Sequence, residues 1–299
     1  MKLESIVTLA NRNSRLMFLA MLRSLRATGN QLPVAVIPYD ESRFDLPPGA
    51  EWVEHPPFYS WVKARCAHPM MRKYLALTFR NHHYLDTDAL FLKDPAKVLA
   101  PHSGFVVCCT EWNKPKWTVT RETESRFRQR WSTWQKEIFC AGQFACDRQL
   151  YDAEGLMRFA EQPENRGACL EFSLHDQPGT NLMVLSTDVP RTNLTLPPHG
   201  MASSWAGDYD DAGAVTRGTN SPYLLHYAGG LLDQDHATNE LFLNFLSKDE
   251  RTEWDEQLRL RRLRQEKEAR WPLPVRIINR LLPRLDKRFR VQWIGNNSS

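Results

Sequence analysis

Through the first 110 residues, short apolar runs alternate with apolar residues at helical spacing, and this constrains the chain more than any other feature. Such alternation is the signature of βαβ units, which place a mostly parallel sheet between helices. Residues 5–9 read as a first strand. Asn11, Arg12 and Asn13 follow as a polar loop, with Ser14 as a helix N-cap. Leu16, Leu19, Leu22 and Leu25 then line one helical face, which Gly29 ends. Residues 34–37 read as a second strand, 70–79 as a helix, 82–85 as a third strand and 105–109 as a fourth.

Later segments are less regular. Residues 111–136 are charged and Trp-rich and read as a surface helix with flanking loops. Residues 138–146 are apolar around Gly142, and a helix is expected over 147–162. The stretch 163–222 is rich in Pro, Gly, Ser and Asp and reads as loops, where binding residues concentrate. A short strand is expected at 223–227, running into His226-Tyr227-Ala228-Gly229-Gly230. The expected organisation is one α/β domain over 1–247 and a basic helical extension over 248–299.

A chain of 299 residues, 42% apolar and 25% charged, can bury a sizeable core; it is neither disordered, collagenous nor a disulfide miniprotein. The net charge of +4 is too small to argue for nucleic acid, and it is unevenly placed. Residues 251–290 hold 13 Lys and Arg against 6 Asp and Glu. The remainder of the chain is therefore slightly acidic. In that tail Trp271, Ile277, Leu281 and Phe289 interleave with Arg276, Arg280, Arg284 and Arg288. The mixture suits an interfacial helix on an anionic membrane, a dimer contact or a solvated charged helix. No run of about 18 apolar residues suggests a spanning helix, and the N-terminal residues do not read as a secretory signal. The six cysteines form no CxxC pair and no zinc spacing, so reduced thiols in a cytoplasmic protein are expected.

The sharpest chemical feature is Asp86-Thr87-Asp88 after the strand at 82–85. Residues two apart on a strand share a face. Two carboxylates at its carboxyl edge can therefore enter the crevice where open α/β sheets take ligands. They repel unless a cation sits between them. A hard dication such as Mg²⁺ or Mn²⁺, which shares its shell with substrate phosphates, fits this pair.

Five segments in order resemble the GT-A type, nucleotide-sugar-dependent glycosyltransferases, and are similar to the retaining family 8 group and its relatives. They are the opening Ile6-Val7-Thr8-Leu9-Ala10-Asn11; the stretch from Lys73 to Asp86-Thr87-Asp88 and on to Asp94-Pro95; Phe139-Cys140-Ala141-Gly142; Asp176-Gln177-Pro178-Gly179-Thr180-Asn181; and Leu225-His226-Tyr227-Ala228-Gly229. The resemblance implies a GT-A (Rossmann-like) mostly parallel sheet with flanking helices. It implies a hexosyltransferase-like activity, retaining in that family, using a nucleotide diphosphate sugar (a uridine diphosphate sugar first) and a carbohydrate or glycolipid acceptor. Asp86, Asp88 and His226 would hold Mn²⁺ or Mg²⁺. Thr8 and Asn11 would line the nucleotide pocket, with Asp86 near the donor. Lys73 would approach the diphosphate, and Asp176 and Gln177 would flank the transferred sugar.

Two departures stand out. Cys140 replaces the family's Asn before Ala-Gly, and no Lys follows Gly230 where the family holds the diphosphate. Arg217, Lys73 or a tail arginine could take that place. Each motif residue also has a plainer reading. His226 could be a hydrogen-bonded core histidine, Asp176 a helix cap and Gly142 a close-packing position. His82 and His83 read as strand-edge residues. Trp112, Trp117, Trp131 and Trp134 read as packing, with Trp205 the better stacking surface for an acceptor. An inverting reaction would need a free base, which Asp208, Asp210 or Asp211 could supply. Two rival functions remain: a sugar nucleotidyltransferase, although residues 9–15 lack the glycine of a triphosphate loop, and a membrane-associated scaffold that kept the fold.

Overall fold

The computed structural model describes residues 1–269. Among them, seven strands form one sheet and two form a small second one. In chain order the strands are β1 (Ser5–Ala10), β2 (Val34–Pro38), β3 (Ala50–Trp52), β4 (His82–Leu85), β5 (Ala89–Phe91), β6 (Phe105–Val107), β7 (Gln143–Cys146), β8 (Arg191–Asn193) and β9 (Leu224–His226). The large sheet runs β3-β2-β1-β4-β7-β6-β8. Only β7 opposes its neighbours; the other pairings are parallel.

From β1 the chain steps outward to β2 and β3, then returns to place β4 on the other side of β1. The strand order thus reverses between β1 and β4. A crevice opens at the carboxyl ends of such a pair, which is where Asn11 and Asp86 emerge.

Both faces of the sheet are buried, which explains the unbroken apolar runs. Val7, Ile37, Tyr84, Phe105 and Phe144 pack on one face. Their immediate neighbours Ile6, Val36, Leu85, Val106 and Ala145 pack on the other, with Phe18, Met21 and Leu25 of the helix Arg15–Ala27.

Several local expectations shift. Asn11, not Ser14, is the effective cap. Its Oδ1 accepts from the amides of Asn13 (3.0 Å) and Ser14 (3.2 Å), while Ser14 Oγ accepts from the Asn11 amide (2.9 Å). The reciprocal box closes a 3-10 turn, Arg12–Ser14, that precedes the helix. Gly29 ends that helix with φ of 85°. Residues 70–79 are helical as expected, but as a 3-10 run over Pro69–Thr78. The β6 ladder stops at Val107, and Cys108 and Cys109 continue as buried coil. The helix expected over 147–162 is shorter, Ala153–Glu161, because Asp152 caps it.

The segment 163–222 is more ordered than its composition suggests. It contains the helix Gln177–Leu185, buried from Pro178 onward. Pro178 suits the first turn. Gly179 is required by contact: a Cβ there would lie 2.1 Å from Tyr74 Oη and 2.9 Å from Ala168 O. His82 and His83 are not at an edge. They sit in β4, in the middle of the sheet, fully buried. His83 Nε2 lies 2.8 Å from Tyr223 Oη.

The chain separates into two compact units, Met1–Leu246 and a second that begins at Ser247. In the second, a helix spans Lys248–Ala269 and carries pairs such as Arg259–Glu256 at 2.7 Å. No helix among the described residues is long and apolar enough to cross a membrane. The basic segments at 271–290, read from sequence as interfacial, lie outside the described residues.

Candidate active site

Asp86 follows β4 directly, and Asp88 immediately precedes β5. β5 and β9 pair antiparallel with Ala89 opposite His226. The ladder continues as Tyr227 N donates to Asp88 O at 2.8 Å. This register carries an imidazole from far along the chain to the two carboxylates. His226 Nε2 lies 3.3 Å from Asp88 Oδ1 and 4.0 Å from Asp86 Oδ2. All three residues offer a ligand atom within 4.8 Å of the others.

Gly142 closes the cluster from β7's side. Asp86 N donates to Gly142 O at 2.8 Å. A Cβ at Gly142 would lie 2.2 Å from His226 Cε1 and 2.7 Å from Asp86 Oδ2. The close-packing reading of this glycine is therefore the correct one. Gly142→Ala should cost about 1–3 kcal/mol by overpacking and displace two of the three clustered groups. Calorimetry should then show dication binding weakened roughly tenfold or more; unchanged affinity would contradict this geometry.

Lys73 is the charge hub beneath the cluster. Its Nζ lies 3.0 Å from Asp86 Oδ2 and 3.2 Å from Asp176 Oδ2, and it sits 5.3 Å from the centre of the Tyr84 ring. Tyr84 Oη donates to Asp86 Oδ1 at 2.5 Å. Burial alone would depress the Lys73 ammonium, but Asp176 and Asp86 outweigh it and hold it above the ordinary lysine range. Burial pushes the Asp86 carboxyl up, Lys73 opposes and Asp88 adds to the rise; the balance lies above the usual carboxylate range. For Asp88, burial is outweighed by His226, which holds it low. Burial lowers His226, yet Asp88 and Cys140 raise it well above its usual range.

Asp176 occupies the N-cap position of the helix Gln177–Leu185 but makes no capping hydrogen bond with its side chain. The carboxylate turns to Lys73 instead and accepts from Thr180 Oγ1 at 3.2 Å. Lys73→Met would leave two carboxylates facing each other without their cation. We expect a loss of about 2 kcal/mol, discounted because Asp86 is partly solvated, read as a lower urea midpoint. An unchanged midpoint would show that the pair does not need this ammonium.

The other expected site residues are more occupied than the sequence suggested. Asn11 Nδ2 donates to Asp40 Oδ2 at 2.8 Å while its oxygen caps the turn. Thr8 is fully buried and its hydroxyl has no hydrogen-bond partner, so it presents no surface to the crevice. Gln177 is a brace. Its Oε1 accepts from Ala141 N (3.2 Å), and its Nε2 donates to Trp117 O (3.1 Å) and Thr118 Oγ1 (3.2 Å). Arg217 is tied to Asp211 on the surface at 2.6 Å, whereas Lys73 is buried between Asp86 and Asp176. Asp208 lies 3.5 Å from Lys114 Nζ.

Trp205 bridges to His226 through its backbone, with Lys114 Nζ 4.4 Å from its ring centre. Trp134 is core, but Trp117, read as packing, is 59% exposed. Sequence reasoning missed Tyr84, although its i, i+2 relation to Asp86 puts both on one face. It also missed Glu111, whose carboxyl burial raises and whose Oε2 accepts from Thr118 Oγ1 at 3.1 Å. Nothing in the linear sequence marks it.

No family model matches the chain, and no curated protein matches it in sequence. Solved structures do. The WbbM bifunctional glycosyltransferase superposes with a TM-score of 0.52 at 12% identity, over 87% of this chain and 52% of that one. The galactosyltransferase LgtC, solved with donor and acceptor sugar analogues, superposes with a TM-score of 0.51 at 13% identity, over 83% of this chain and 99% of that one. The fold is that of the GT-A glycosyltransferases. The chain spans about half the length of WbbM (52%) and nearly all of LgtC (99%).

The GT-A crevice of this chain has a donor set that fits a hard dication: two carboxylates and an imidazole nitrogen. Ligands sharing one ion at about 2.1 Å stand no more than about 4.2 Å apart. The two His226 separations, 3.3 and 4.0 Å, already meet that limit. Gly142 supplies the clearance, since any side chain there would fill the cradle.

Proposed function

We propose that the chain transfers a sugar from a nucleotide diphosphate sugar, a uridine diphosphate sugar first, to a hydroxyl of a carbohydrate or glycolipid. The observation that carries this reading is the convergence of Asp86, Asp88 and His226 at the switch point of a GT-A sheet. LgtC's donor and acceptor sugar analogues support the same two ligand classes here. Mn²⁺ or Mg²⁺ is the dication we assign to the three residues. Asp86, Asp88 and His226 would hold it, and when bound it would supply Lewis acidity for the charge of a departing diphosphate.

The chain's own groups do the rest. Asp86 stays oriented by Tyr84 and Lys73, so the site is arranged before donor enters. Lys73 and Asp176 form a buried ion pair at the crevice floor, and we place the transferred sugar beside that pair. Lys73 approaches the diphosphate as a charged donor. We place Asn11 and Asp40, which are hydrogen-bonded to each other, on the nucleotide side, with Thr8 buried in β1. A retaining course follows the resemblance, with Asp176 beside the anomeric carbon and Gln177 holding the wall at Ala141.

The basic extension points to an acceptor at an anionic membrane surface on the cytoplasmic side, as in surface polysaccharide assembly. Thermal denaturation against a panel of nucleoside diphosphates, with and without Mn²⁺, tests the reading. A ligand at 100 times its Kd stabilises by about 2.7 kcal/mol. One diphosphate should raise the midpoint only when Mn²⁺ is present. If none does, the protein is a scaffold that kept the fold. A triphosphate preferred over every diphosphate points to a nucleotidyltransferase.

A further inference from the structure

We infer that Cys140 is a positioning residue, which fixes the His226 imidazole in the tautomer that offers Nε2 to a dication. This rests on the metal reading above and adds the group that prepares the ligand. A neutral imidazole that ligates through Nε2 carries its proton on Nδ1, and that N–H needs an acceptor. Metal-bound histidines are held this way by a carboxylate, a carbonyl or water. Here the group at Nδ1 is a thiol: Cys140 Sγ lies 3.6 Å from it, while the aspartates lie nearest the other ring nitrogen, Nε2.

Sulfur is a weak acceptor, so its placement has to be enforced. Three consecutive backbone amides do this. Phe139 N donates to Asn181 Oδ1 at 3.0 Å, Cys140 N to Cys109 Sγ at 3.3 Å and Ala141 N to Gln177 Oε1 at 3.2 Å. Asn181 Nδ2 also donates to Phe139 O at 2.8 Å. The next residue, Gly142, lies against the ring itself. His226 N is meanwhile fixed by Ser204 O at 2.6 Å. Cys140 is only 7% exposed, which leaves little room for water to compete at Nδ1. The braces at 139–141 therefore act on the metal site through one sulfur atom. This gives Gln177 and Asn181 a purpose beyond packing.

The test uses the full chain with Cys140→Ala, Cys140→Ser and Asp88→Ala. Calorimetry measures Mn²⁺ affinity, and long-range proton–nitrogen correlation of the Mg²⁺-loaded protein reads the His226 tautomer. Cys140→Ala should weaken Mn²⁺ binding about 10- to 100-fold in a protein that still unfolds cooperatively. Cys140→Ser, which restores an acceptor, should recover most of it. Wild type should show the proton on Nδ1. Should Cys140→Ala fail to fold, the wild-type tautomer and Cys140→Ser decide. A proton on Nε2, or serine binding Mn²⁺ more than 100-fold more weakly than wild type, overturns the inference. Alanine binding as tightly as cysteine overturns it too, and leaves the metal reading standing if Asp88→Ala still abolishes binding. Wild type that binds no Mn²⁺ at all overturns both.

Discussion

Replacing Asp88 with alanine is expected to remove dication-dependent nucleotide binding and lower sugar transfer by roughly 10³-fold, about 4 kcal/mol of transition-state stabilisation. The side chain is well suited to such a test because the fold asks little of it. Its carboxylate is 29% exposed and faces His226 Nε2, while the neighbouring backbone carries the β5–β9 ladder. Alanine keeps that backbone and removes one of three ligand atoms. The thermal midpoint without ligand should therefore stay near wild type while the Mn²⁺-dependent increment disappears. Transfer rates within tenfold of wild type would mean that the charge of the leaving group is met elsewhere.

A second large effect is expected from acid. His82 and His83 lie in the central strand, and burial pushes both down to about 3, with His82 adding to the effect on His83. In the unfolded chain each titrates near 6.5. The folded protein keeps them neutral while the unfolded chain takes up protons. Their contribution is thus complete above about pH 6.5 and is lost as pH falls toward about 3. Each histidine gives a slope of about 1.4 kcal/mol per pH unit, so the pair removes about 5 kcal/mol between pH 6.5 and 4.5. That is a large share of the roughly 5–15 kcal/mol that stabilises an ordinary domain. Urea midpoints at pH 7.5, 6.5, 5.5 and 4.5 measure it. His82→Leu should halve the slope between pH 6.5 and 5.5; stability that stays level over that interval would contradict the burial of the pair.

Much of this architecture could be read from the residues. Two-sided burial writes β2 as a continuous apolar run and β1 as one interrupted only by Thr8 after Ser5, and the helical face from Leu16 to Leu25 is equally plain. Asp86 and Asp88 were visible as an acidic pair after a strand, but they lie in the turn between β4 and β5, so the turn and not strand alternation brings them together. His226 needed the Ala89–His226 register, which no local pattern reveals; only the resemblance pointed to it. Composition misled in two places. The composition of 163–222 reads as loop, yet the helix start offered by Asp176 is the reading that holds: Pro178 suits the first turn of a buried helix and Gly179 lets Tyr74 approach. The pair His82-His83 reads as polar, yet a central strand neutralises both rings. Roles that depend on hydrogen bonds between distant segments were invisible, as with Gln177 bracing Ala141 and Cys140 meeting His226.

Anomalous diffraction from crystals grown with Mn²⁺ and uridine diphosphate locates the dication in a single step. The expected peak lies among Asp86, Asp88 and His226 Nε2, at about 2.0–2.4 Å from each ligand atom, with the diphosphate completing the shell. Diphosphate bound in the crevice with no anomalous peak among these three side chains would show that Asp86, Asp88 and His226 hold no dication.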